Sequence, residues 1–410
     1  MKQLTGRSAV PVFLVFAFAY FLSALIRAIT ATLSPVLTLE FALRARDLGL
    51  LAGGYFLGFA VTQLPLGAWL DRYGPKRVIV GFLLVAVLGC VAFSVADTFA
   101  GLLAARVLCG VGVSACLMAP LTGYRRWFTP AIQMRSNSWM LMTGSLGAVA
   151  STLPVQWLVP LLGWRLLFLA LAGLLLLAMA LIAWRVPSWA GSHGGSASPV
   201  ALNGYAQVWR HPYFRAMAPL GFFCYGGLLA VQTLWAAPWM VKVAAYSPLK
   251  AATGLFWINV AMLCTFWSWG LAGPWLARRG LHADRLMTWG LPLSFLLLAI
   301  IIVVPDRFSG WAGVLLALYC MACSFVTPSQ PALGMVFAPE VAGRALSAYN
   351  LVIFVGVFVI QWGIGLTIDG LMSLGAPQVL SFQLAFTALL ACCIASYAYF
   401  LRAAGHNRAP

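Results

Sequence analysis

The sequence predicts an all-α integral membrane protein of twelve transmembrane helices in two pseudo-symmetric six-helix bundles. Three observations lead there. Of 410 residues, 63% are hydrophobic and only 8% charged, against roughly 25% charged in a soluble domain. The apolar residues fall into runs of about 20, the length that crosses a hydrocarbon core about 30 Å thick. These runs come as six, a gap, and six.

In chain order the expected spans of the first bundle (1–185) are 11–33, 48–70, 78–96, 100–122, 137–160 and 164–185. Span one follows Lys2 and Arg7 and imitates a secretion signal, yet it exceeds a typical h-region and lacks a small-residue cleavage site, so it reads as an uncleaved span. The gap, 186–213, holds Gly191, Ser192, Gly194, Gly195, Ser196 and Pro199, the small polar composition of a solvated linker. The second bundle (214–410) carries spans 214–239, 251–273, 286–305, 310–333, 345–368 and 379–401. With the N-terminus inside, seventeen of the 25 basic residues fall in cytoplasmic segments, so both termini are expected in the cytoplasm. Short polar loops without an Asn-x-Ser/Thr acceptor fit a bacterial cytoplasmic membrane.

The formal charge of +17 does not mark a nucleic-acid binder, because the basic residues are scattered as short clusters between apolar runs. The nine cysteines sit mostly inside apolar runs and read as small buried hydrophobes. Cys320 and Cys323 form one C-x-x-C that would suit copper; without a second pair or a membrane histidine it reads as packing, and no metal or cofactor is expected. No nucleophile, acid–base or metal constellation is visible, so the chain is not expected to be an enzyme.

The halves repeat one another. Gly67-Ala-Trp-Leu-Asp71-Arg72-Tyr-Gly74 returns as Gly273-Pro-Trp-Leu-Ala277-Arg278-Arg-Gly280, and Pro130, Arg135 and Gly147 return at the same spacing as Pro339, Arg344 and Gly356. Duplicated halves are how many carriers build two alternating gates around one site.

The stretch from Gly67 to Arg77, with Asp71, Arg72 and Gly74 between, resembles the loop signature of the major facilitator superfamily. Leu102, Arg106, Gly110 and Gly112 resemble a second pattern of that family, with Cys109 where glutamine is usual. The resemblance covers essentially the whole chain. It implies a secondary transporter in which spans one, four, seven and ten line a central cavity, and in which Asp71 latches the cytoplasmic gate against the N-terminus of span eleven, just past Arg344. The glycines would allow a tight turn and close helix approach. Ala277 replaces the acid in the second copy, which weakens or removes any latch there.

Within span one, Tyr20, Ser23, Arg27, Thr30 and Ser34 recur at helical spacing and draw one polar stripe down an apolar helix. Arg27 is the first candidate for gripping a carboxylate, phosphate or similar anion; snorkelling to the outer interface and a structural bond to backbone carbonyls are the alternatives. Arg106 is expected to face a cavity or a partner, or to snorkel to the nearby surface. Further substrate candidates are Tyr225, Gln232 and Trp235 in span seven, Gln330 in span ten and Asn350 in span eleven, each of which helix-to-helix hydrogen bonding would equally explain.

All four histidines lie in expected cytoplasmic segments and the eight acids in loops or near span ends. A cation exporter would ordinarily use a membrane carboxylate, so uptake of a small organic or inorganic anion fits better, with a proton as possible co-substrate. The expected partners are that small molecule and the lipid bilayer, and the carrier is expected to be a monomer. Efflux of neutral or amphipathic compounds, using Tyr225, Trp235 and Trp239, is the alternative; a receptor that binds without translocating is a more distant one.

Overall fold

The computed structural model describes residues 6–187, 202–303 and 309–406; most of the small polar segment expected as a linker lies outside them. Among the described residues the regular structure is entirely helical. The chain runs α1 (Gly6–Glu40), α2 (Ala45–Val61), α3 (Gln63–Ser94), α4 (Phe99–Val113), α5 (Ala115–Trp127), α6 (Pro130–Ala150), α7 (Leu153–Arg185), α8 (Leu202–Arg210), α9 (Pro212–Leu220), α10 (Gly226–Ala230), α11 (Ala236–Lys242), α12 (Pro248–Arg278), α13 (Ala283–Val303), α14 (Ala312–Cys323), α15 (Ser329–Val336), α16 (Pro339–Ser373) and α17 (Gln378–His406).

Among the described residues, ten helical runs are long and apolar enough to cross a membrane, and the bent pair α2 with Gln63–Leu70 makes an eleventh. The expected fifth span corresponds to the shorter apolar run Trp139–Ala150 with the start of α7. The bend after α2 has a local cause. Thr62 Oγ1 and Gln63 Nε2 both donate to the Phe59 carbonyl at 2.8 and 3.2 Å, and Pro65 has no N–H with which to continue the ladder. Spans four and ten break in mid-run by the same means. Ser114 Oγ donates to the Val111 carbonyl between α4 and α5, while Ser324 and Thr327 donate to Met321 and Ser324 carbonyls ahead of Pro328, between α14 and α15.

Span one is longer than expected, 35 residues in one helix. The segment read as the loop after span two is also different. Its residues continue α3 on both sides of a one-residue break at Gly74, φ 76° and ψ 159°. The segment expected to be a solvated linker includes the nine-residue helix α8.

Backbone conformations disclose the repeat more finely than the sequence does. Glycines with positive φ stand at Gly74, Gly163, Gly280 and Gly375, which are the junctions after the second, fifth, eighth and eleventh spans. Ala42 and Ala245, the non-glycine residues with positive φ among the described ones, end the first and seventh spans. The glycine junction thus recurs once in each triplet of spans, as nested three-helix repeats would have it, while the alanine junction recurs once in each half.

By proximity the chain forms two compact units, residues 1–29 with 57–201 and residues 30–56 with 202–410. The last third of α1, from Thr30, and most of α2 thus cluster with the C-terminal unit, although the repeat relates them to the first half.

Candidate functional site

In the N-terminal unit, α1 meets α4 and α6. Gly147 of α6 lies against the Phe21 carbonyl and Gly144 against the Tyr20 ring, where any side chain would collide. This approach buries Tyr20 to 8% exposure, and Ser23 is buried as well. The polar stripe is therefore closed along much of its length, Thr30 and Ser34 included.

Arg27 differs from its neighbours on the stripe. It is half-buried, and among the described residues it makes no hydrogen bond or ion pair. Thirteen residues separate it from Glu40 at the end of α1, about 20 Å of helix and longer than an arginine side chain. Arg106 sits in α4 with no exposed surface, not at a boundary where it could snorkel. Its Nη1 donates to the Ile26 carbonyl at 2.9 Å. One arginine is thus tied to the backbone immediately before the other.

In the C-terminal unit, span seven is interrupted by two π-helical turns, Gly221–Tyr225 and Val231–Trp235. Such bulges re-aim side chains and recur at functional sites. They carry all three candidates of this span. Gln232 Nε2 donates to Asn259 Oδ1 at 3.0 Å, and Asn259 Nδ2 to the Leu255 carbonyl. Trp235 has no exposed surface and its Nε1 donates to the Gln361 carbonyl at 3.1 Å. That tryptophan fills the packed interior in this conformation. Tyr225 is half-buried. Gln330 Nε2 donates to Asn350 Oδ1 at 2.6 Å, joining α15 to α16, with Tyr349 OH on Ser329 Oγ beside them. Thus Gln330 and Asn350 form one group and Gln232 with Asn259 another, each bonded between helices.

The gating candidates are placed as follows. Gly74 is the break in α3, a conformation that disfavours any side chain. Gly67 has neither reason to be glycine: open space surrounds it and its φ is ordinary, which corrects the expectation of close approach there. Arg72 and Arg77 are exposed, Arg72 lying over the Tyr73 ring. Arg344 is half-buried at the start of α16 and acts electrostatically on Tyr205 of α8, whose phenol is raised by burial and drawn down by that guanidinium. Asp71 lies in α3, and its side chain is outside the described ones.

Sequence reasoning missed Asp369. Both of its carboxylate oxygens accept backbone N–H groups from the first turn of α2, Ala45 at 3.1 Å and Arg46 at 3.0 Å. The only local signal is an acid near the end of an apolar run, because its partners are more than three hundred residues away.

Comparison with known proteins agrees with this architecture. The sequence profile of the Major Facilitator Superfamily matches residues 16–361. The chain belongs to the major facilitator superfamily. It is a multi-pass membrane transporter, and the family and fold are not those of enzymes. Its backbone is similar to that of a bacterial homologue of the human lysosomal transporter Spinster in an inward-facing, unoccupied conformation, with a TM-score of 0.77, 16% identity and 98% of each chain covered. Among characterised sequences it resembles a probable sulfoacetate transporter, SauU, of Cupriavidus necator, at 24% identity over 55% of this chain and 56% of that protein. It also resembles the 4-hydroxybenzoate transporter PcaK of Pseudomonas aeruginosa, at 28% identity over 40% of this chain and 36% of that protein. The chain thus aligns with about half of the former relative's length and about a third of the latter's.

Proposed function

We propose that this transporter takes up a small anion by alternating access, with Arg27 as the group that grips the anionic end. The observation that carries the reading is the half-buried guanidinium of Arg27, set deep in α1 without a bonding partner among the described residues. A cation in a membrane span is costly unless something answers it, and Arg106 is engaged by the Ile26 carbonyl. A visiting carboxylate, sulfonate or phosphate answers Arg27 through charge-assisted hydrogen bonds. The substrates for which two relatives are named are both anions, 4-hydroxybenzoate with one negative charge and sulfoacetate with two.

The same accounting favours a single negative charge on the substrate. Among the described residues, the basic side chains deep inside apolar runs are Arg27 and Arg106, and one of the two is already tied. Within the C-terminal unit, Tyr225, Gln232, Trp235, Gln330 and Asn350 stay candidates for substrate contact. Gating we assign to the Asp71–Arg77 segment, with Gly67 and Arg344, at the side we take as cytoplasmic. A co-transported proton, a bacterial cytoplasmic membrane, internal termini and a monomeric carrier complete the reading. Efflux of amphipathic compounds is less well supported, since Trp235 and Trp239 are buried in packing.

A thermal-shift screen of the purified protein against carboxylates and sulfonates, including 4-hydroxybenzoate and sulfoacetate, is the first test, because a ligand that binds the folded state raises its melting temperature. Uptake of the best ligand into proteoliposomes then compares wild type with Arg27→Ala. Loss of a charged hydrogen-bonding group should lower kcat/KM by about ten- to a hundredfold. Unchanged uptake of an anionic ligand by Arg27→Ala would end the proposal.

A further inference from the structure

We propose that Asp369 is a gating residue: it latches the N-terminus of α2 to the end of α16 and holds shut the side of the carrier opposite to Asp71. The seam can be followed residue by residue within the C-terminal unit. At its rim, the two oxygens of Asp369 accept the Ala45 and Arg46 amides, and Arg46 Nε lies 4.0 Å from Asp369 Oδ2. One turn inward, Gly365 meets the Ala45 carbonyl; Gly49 then meets the Gln361 carbonyl and Gly53 the Phe358 backbone and ring. At the inner end Phe56 stacks on Phe354, centroids 6.2 Å apart at 17°. Along this line α2 ascends while α16 descends.

Two physical features distinguish a gate from permanent packing. First, α2 cannot cap itself. Arg44 precedes its first turn and has no side-chain acceptor, so Asp47 reaches back to the Arg44 amide at 3.0 Å, and the next two amides depend on Asp369. A carboxylate at a helix N-terminus is held by both hydrogen bonds and the helix dipole, yet at a rim it can exchange them for water. Second, along the middle of the seam glycines of one helix face backbone of the other, with the Phe358 ring over Gly53, so few side chains interlock and the helices can slide apart. Parting also exposes Gln361 Oε1, which is buried there without a hydrogen-bond partner among the described residues. The positive-inside bias assigns this end to the outside, and the segment 30–56, though related by the repeat to the first half, clusters with the second unit. Opening to that side requires the seam to separate.

The test needs no substrate. In the full-length protein with Cys264 and Cys392 replaced by Ser, the cysteines that are not buried, Ala52→Cys places a thiol on the face shared by Gly49 and Phe56, at a position 2% exposed. Its labelling by a membrane-impermeant maleimide in proteoliposomes reports opening. Asp369→Ala should speed labelling by about tenfold through a shift in population. Asp369→Asn, which keeps an acceptor but loses the charge, should give a smaller rise. A control cysteine at Ala178, buried in α7, should remain unlabelled in every variant. Unchanged labelling of Ala52→Cys in whichever variant folds overturns the latch, as does an equal rise at the control position. Failure of both variants to fold would make Asp369 a structural cap and overturn it too.

Discussion

Arg106 has no exposed surface, and through Nη1 it donates to the Ile26 carbonyl. Arg27, one residue further along α1, makes no such bond among the described residues. The two arginines therefore predict opposite signatures. Arg106→Lys keeps the charge but replaces a planar fork by a point donor on a different stem, so the melting temperature of the purified protein should fall, by a loss of about 1–3 kcal/mol for a hydrogen bond to a charged group. Arg27→Ala should leave that melting temperature within error of wild type while removing anion-dependent stabilisation. A large drop for Arg27→Ala, or none for Arg106→Lys, would show that the roles have been exchanged. In the sequence both residues are visible as costly charges in apolar runs. Their difference is not, because it depends on which one α4 brings against the backbone of α1.

At the scale of helices, the repeated ladder of Pro130, Arg135 and Gly147 with Pro339, Arg344 and Gly356 has a physical basis. Each proline opens its helix as the first residue, α6 and α16 respectively, and each glycine lies against a carbonyl of the helix it crosses, Phe21 for Gly147 and Phe222 for Gly356. Gly147→Ala and Gly356→Ala should each destabilise by about 1–3 kcal/mol, the usual cost of overpacking a close contact, measured as lowered melting temperature. Gly67→Ala, with open space around it, should be near neutral. Periodicity and composition made the spans legible, and duplication made their pairing legible. The breaks were not: the bend before Gln63, the interruptions at Ser114 and Ser324 and the π turns around Tyr225 and Trp235 depend on hydroxyl back-bonding and packing that leave apolar periodicity intact. The polar stripe of α1 failed for a related reason. Spacing assigns a face, but at Tyr20 the close approach of Gly144 and Gly147 puts a helix, and not water, over it.

At the scale of the whole molecule, the distribution of charge bears on what can cross. The described acids other than Asp71 lie near helix ends or in junctions, as Asp47, Asp97, Asp284 and Asp369 illustrate, and the deep cations reduce to Arg27 once Arg106 is tied. Moving an anion to mid-membrane depth strips water from it, and one guanidinium compensates one charge. A second carboxylate on the same solute would be left desolvated without a partner, at a cost of several kcal/mol per ion. Pairs that share a ring and differ by one carboxylate, such as benzoate and phthalate or nicotinate and quinolinate, probe this effect, with the pH dependence separating charge from the size of the added group. Competition against uptake of the best ligand at pH 7.5, where both members of each pair are ionised, should favour the monoanion by at least about tenfold in inhibition constant. Lowering the pH towards the second carboxyl's titration should narrow the gap, because the dianion then becomes a monoanion while an arginine keeps its charge. Equal competition by mono- and dianions, with both abolished by Arg27→Ala, would retain the anion site and refute single-charge selectivity; competition by neither, in a protein that transports, would move the substrate out of the anion class altogether.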